Sequence, residues 1–236
     1  MLNLRSAISA TTLAASMIFT AGVASAAPIV TGSSSGNFSD MSCGWLGGCN
    51  TADTAHGNDS QMAWGSRTGT ESTLTAIRHS WSFPAPKSDV VLAELAWTNA
   101  ATSIWTTPPV FTALYNLGIE FTSPTNAGHT EQFNLTILNA LNNFGDALFG
   151  LKFADLDNMS FDLGDVSISN LRYQLASGPG NFEHNIWYNP ENQTSRLYIM
   201  ADFTDQSVAE VPEPTSVALL GLGLLGVSMA RRRRRS

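Results

Sequence analysis

Charge is scarce in this chain. Asp, Glu, Lys and Arg make up 13% of its 236 residues, about half the share usual in soluble proteins. Basic residues are scarcest: six of the twelve, Arg5 and Arg231 to Arg235, lie in two terminal segments. With both segments removed, six basic residues face 19 acidic ones (Glu213 included), a net charge of −13. No cationic surface then remains to pair with phosphates, which argues against nucleic acid as a partner. Apolar residues still account for 43%, so a disordered polyelectrolyte is equally disfavoured. The four histidines, His56, His79, His129 and His184, form no His-x-His or His-x-x-x-His pair, which speaks against a zinc site. A nucleophile elbow is missing too. The nearest candidate, Gly65-Ser66-Arg67-Thr68-Gly69, has the wrong spacing for Gly-x-Ser-x-Gly.

What is present begins with the two ends. Residues 1–26 have the make-up of a secretory signal peptide, expected as a helix. Arg5 supplies the charge, Thr11 to Val23 the apolar stretch, and Ala24-Ser25-Ala26 a small-x-small site. Cleavage by signal peptidase is expected after Ala26. The other end reads Pro212-Glu213-Pro214, an apolar stretch Val217 to Ala230, then five arginines. The stretch is 14 residues long. As a helix it reaches ~21 Å, short of the ~30 Å hydrocarbon core of a bilayer. Such a marginal span, held by arginines on the cytoplasmic side, suits transient tethering in the inner membrane.

The order of triplet, apolar helix and arginine cluster closely resembles the PEP-CTERM sorting signal of Gram-negative bacteria. The resemblance implies recognition of Pro212, Glu213 and Pro214 by an exosortase, removal of the tail, and release or attachment at the cell surface. It also implies association with exopolysaccharide and biofilm. A permanent tail anchor is the alternative.

Between the ends the sequence predicts an all-β body, a single β-sandwich of jelly-roll type. Residues 27–60, rich in Gly, Ser and Asn, are expected as a loosely held arm. The arm carries both cysteines, Cys43 and Cys49, which in an exported protein are expected to close a small disulfide loop. Residues 61–205 form the predicted sandwich and 206–236 the linker and sorting signal. Period-two alternation marks strands at Ser72–Arg78, Val90–Trp97, Val110–Phe121, Gln132–Leu138, Phe149–Phe153, Val166–Leu175 and Arg196–Phe203. Clusters such as Pro124-Thr125-Asn126-Ala127-Gly128 and Asn189-Pro190-Glu191-Asn192 punctuate them.

The body also resembles the choice-of-anchor K and THxN-type domains of PEP-CTERM proteins. Trp64-Gly65-Ser66, followed by Ser72-Thr73-Leu74, matches their opening. Leu95-Ala96-Trp97-Thr98-Asn99 falls at the Thr-His-x-Asn position, where Asn99 agrees but Ala96 and Trp97 replace Thr and His. Leu138-Asn139-Ala140-Leu141-Asn142, before Asp146, resembles a further Asn-bearing segment. This resemblance implies a surface-associated β-domain and supplies no catalytic residues.

Two features of the body bear on chemistry. Asp155, Asp157 and Asp162, with Asp165 and Asn158, are oxygen ligands at spacings that suit Ca2+, although an EF-hand's glycine and final Glu are missing. A solvated acidic turn is the preferred reading, with no cofactor. Trp105, Trp187 and Tyr188 are the aromatics expected to escape the core and stack on sugar rings. The chain thus reads as a non-enzymatic, exported surface or matrix protein. A carbohydrate-binding module is the alternative. A polysaccharide hydrolase, which requires two carboxylates in one cleft, is the third reading.

Overall fold

The computed structural model describes residues 26–42, 49–56, 59–65, 71–102, 107–140, 144–153 and 163–206, with the side chains of 49–56 left aside. The signal peptide up to Ser25, the sorting signal, Cys43, Trp105, Asp155, Asp157 and Asp162 lie outside the described residues.

Among the described residues thirteen strands form two antiparallel sheets, a β-sandwich. They are β1 Ile29–Ser42, β2 Cys49–His56, β3 Asp59–Gly65, β4 Glu71–Ile77, β5 Ser80–Pro84, β6 Lys87–Asn99 and β7 Val110–Ser123. Then follow β8 Ala127–Leu138, β9 Asp146–Phe149, β10 Val166–Ser177, β11 Asn181–Glu183, β12 Ile186–Asn189 and β13 Gln193–Asp205. One sheet runs β11-β12-β9-β8-β7-β1-β5 and the other β10-β13-β6-β4-β3-β2. No helix occurs among the described residues.

Alternation explains why these segments pair as they do. On β7 the side chains of Phe111, Ala113, Tyr115, Leu117, Ile119 and Phe121 are all buried, and the residues between them are exposed or half-buried. Opposing strands repeat the pattern, so both sheets bury one face against a common core. Aromatic rings join the layers. Trp97 on β6 meets Trp187 on β12 edge-on at 5.4 Å, Trp64 on β3 meets Phe111 on β7 at 5.3 Å, and Phe203 on β13 meets Phe121 at 6.0 Å. Each such pair adds about 0.5–1.5 kcal/mol to the burial of its rings.

The expected loose arm is corrected by the structure. Residues 29–42 form β1, which lies between β7 and β5, and β2 and β3 complete the six-stranded sheet. The Gly and Ser content of β1 reflects packing by its neighbours. A Cβ at Gly32 would lie 2.8 Å from the Trp81 ring and 2.5 Å from the Glu120 carbonyl; one at Gly36 would lie 2.8 Å from the Tyr115 ring. Neighbouring aromatics cross over the strand and supply the bulk it lacks. A smaller difference concerns Phe149 to Phe153. β9 ends at Phe149, and Gly150, at φ +96°, turns the chain away while Leu151 and Phe153 remain buried.

Candidate functional site

One end of the sandwich concentrates buried polar groups. Asp146 opens β9 in the order Asp-Ala-Leu-Phe, so it shares the inward face with Leu148. Asn189 closes β12 and shares the inward face with Trp187. Asp146 and Asn189 are register partners across β9 and β12. From the opposite sheet, β6 brings its last residue, Asn99, to the same end.

Two asparagines lock the sheets together there. The Asn99 side-chain amide donates to the Asn189 carbonyl at 2.8 Å. The Asn189 amide donates to the carbonyls of Trp97 at 2.8 Å and Gln193 at 3.2 Å. Close by, Thr102 donates its hydroxyl to Asn139 Oδ1 at 3.0 Å, and the Asn139 N–H donates to the Pro109 carbonyl at 2.8 Å. The Ala140 N–H donates to Asp146 Oδ1 at 2.9 Å.

Several buried atoms in this region have no hydrogen-bond partner: Asp146 Oδ2, both carboxylate oxygens of Glu191, Asn189 Oδ1, Asn139 Nδ2 and Thr107 Oγ1. Buried polar groups usually find partners, because leaving one bare costs about 1–3 kcal/mol. Burial pushes the Asp146 carboxyl up to about 7. The Ala140 N–H opposes that shift, and the charge of Glu191 adds to it. Burial also raises Glu191, which sits in the β12–β13 turn.

A carboxylic acid near neutrality resembles a general acid. An acid–base pair must touch its substrate, however, and Asp146 is sealed from solvent, as are the Glu191 oxygens. The arrangement is suited to holding something inside the fold.

The residues singled out in the sequence are distributed differently. Trp187, expected as a sugar contact, is corrected: it is fully buried, and its indole N–H donates to Ser195 Oγ at 3.0 Å. Its place on the inward face of β12 makes it a core residue. Tyr188, next along the strand, points outward, is 39% exposed, and donates its hydroxyl to the Phe144 carbonyl. Cys49 opens β2 opposite Trp64, and its proposed partner Cys43 lies outside the described residues. Ala26 precedes β1 and is exposed. His79 contacts Glu94 Oε2 at 3.0 Å and His129 contacts Glu131 Oε2 at 3.2 Å. Among the described residues no group of three or more His, Cys, Asp or Glu side chains converges to hold a metal.

Asn99 and Asn139 belong to the segments that resemble the anchor-domain family, and the fold places both at this end with Asp146. Glu191 and Asn189 were read in the sequence only as turn punctuation. The available signal was parity: Asp146 and Asn189 stand at core positions of alternating strands.

Residues 210–235 match the PEP-CTERM protein-sorting motif. The chain carries that sorting signal. The motif indicates an exported protein, sorted to the cell surface and processed by an exosortase. No curated protein matches the chain. The sorting motif covers the tail, so the role of the sandwich has to be argued from its own residues.

Proposed function

We propose that the chain is a non-enzymatic surface or matrix protein of an exopolysaccharide-producing bacterium. Signal peptidase removes residues 1–26. The Val217–Ala230 helix tethers the protein transiently in the inner membrane until the exosortase acts at Pro212-Glu213-Pro214. The sandwich is then held in the exopolysaccharide layer or biofilm, with Cys43 and Cys49 joined in that oxidising compartment. The sorting motif carries this reading. Fractionating the host tests it. The processed protein should sediment with the polysaccharide matrix and leave it when the polysaccharide is digested. Recovery wholly in the inner membrane would contradict the proposal.

The second reading, a carbohydrate-binding module, draws on the outer face of the seven-stranded sheet. Val110, Leu138, Ala147 and Tyr188 are successive register partners across β7, β8, β9 and β12. Three of them are exposed large residues, and Phe144, 70% exposed, adjoins Tyr188 through their hydrogen bond. An exposed aromatic beside an apolar row suits stacking on sugar rings. A Tyr188→Ala, Phe144→Ala double variant should fold normally and lose retention on host polysaccharide if this reading holds. Unchanged retention would remove it.

A further inference from the structure

We propose that the end of the sandwich defined by Asp146, Glu191 and Asn189 binds one calcium ion inside the fold. Its residues are other than Asp155, Asp157 and Asp162 and other than the sorting triplet.

Asp146 and Asn189 are directly opposed on β9 and β12 and both side chains are fully buried. Directly opposed residues on one sheet face have Cβ atoms about 4.5–5.5 Å apart, so one small ion can touch both. Glu191 follows Asn189 by two residues, in the β12–β13 turn, and both of its carboxylate oxygens are buried. Two carboxylates brought together without a cation repel one another and pay for desolvation.

Orientation gives an independent line of argument. The Asn189 amide nitrogen is committed to two carbonyls, those of Trp97 and Gln193. That fixes the direction of the amide and leaves Oδ1 as its free acceptor, on a residue paired in register with Asp146. Asp146 is fixed in turn, since Oδ1 accepts from the Ala140 N–H and Oδ2 is left over. Glu191 offers two buried oxygens with no donor. Three side chains therefore present four oxygen acceptors, and the bare donors of this region, Asn139 Nδ2 and Thr107 Oγ1, bond to none of them. Their two negative charges match one divalent cation.

The donor set selects the metal. Oxygen-only ligands, with no thiolate or imidazole, disfavour zinc and copper and suit hard cations. Calcium accepts six to eight oxygens in irregular geometry and readily takes a bidentate carboxylate, whereas magnesium demands a near-ideal octahedron. Backbone carbonyls or water can complete the shell. An exported module works with Kd values of about 10⁻⁴–10⁻³ M, which two carboxylates and an amide can supply.

The test is thermal unfolding of the full-length protein, treated with EDTA and then given 10 mM CaCl2. Calcium should raise Tm by about 5 °C, and MgCl2 at the same concentration should raise it clearly less. Asp146→Asn and Glu191→Gln should each abolish the calcium response. Neither should melt below the EDTA-treated wild type, because each removes a buried charge. An Asp155→Asn, Asp157→Asn double variant should keep the full response. Terbium luminescence excited through tryptophan gives a second measurement that needs no variant: about one ion per wild-type chain, displaced by calcium. No response to calcium, an equal response to magnesium, or a response that survives Asp146→Asn would each overturn the proposal.

Discussion

Trp97 and Trp187 meet edge-to-face with ring centroids 5.4 Å apart, one from each sheet. Both rings are fully buried, and Asn99 and Asn189 follow them by two residues on the same inward strand faces. The apolar core and the oxygen-rich end are therefore built from the same strands, β6 and β12.

Trp187→Ala should destabilise the sandwich by about 3–5 kcal/mol, as expected for losing a large core aromatic. Tyr188→Ala, one residue away on the outward face, should cost less than about 1 kcal/mol. Urea unfolding of the two variants checks the contrast. Similar losses would mean that β12 does not alternate as described.

Gly32→Val should destabilise the protein by about 2 kcal/mol or more. Its side chain would run into the Glu120 carbonyl and the Trp81 ring, and the carbonyl belongs to a ladder that cannot yield cheaply. Deleting residues 27–42 should prevent folding altogether, because β1 lies within the seven-stranded sheet. A near-native melting curve for the deletion would restore the loose-arm picture.

Asp202 gives the protein part of its acid sensitivity. Hydrogen bonds from the Asn170 amide and the Asp89 N–H, together with Arg172, hold its carboxyl below the usual carboxylate range. A depressed folded-state pKa means that the unfolded chain binds the proton more tightly. Its stabilising contribution is present above the unfolded value near pH 4 and is lost as pH falls through the lower folded value. Asp202→Asn should therefore lower stability at pH 7 and narrow the gap to wild type below pH 4. Melting curves between pH 2 and pH 7 read this directly. A gap independent of pH would show that the ionised carboxylate is not the source.

Much of the sandwich was legible in the sequence because alternation is a local property. β6, β7, β8, β10 and β13 contain segments that period two marks, and β4 contains all of Ser72–Arg78 but its last residue. β1 was hidden by its composition, since its bulk comes from Trp81 and Tyr115 on other strands. The sorting signal is linear, so triplet, apolar stretch and arginines could be read in order. The buried oxygen atoms depend on register between β9 and β12 and on burial of the carboxylate of a turn residue, Glu191. Sequence spacing carries no such cross-strand information. It also misplaced Trp187, because a Trp-Tyr pair beside a turn looks exposed until parity assigns one ring to each face.

The central claim is export followed by exosortase processing, and the most direct measurement is intact mass. The protein would be recovered from the envelope and medium of its host and of a host lacking the exosortase. The account predicts a wild-type mass lacking residues 1–26 and the arginine-rich tail, and a tail retained when the exosortase is absent. A tail from Val217 to Arg235 retained in both hosts would contradict it.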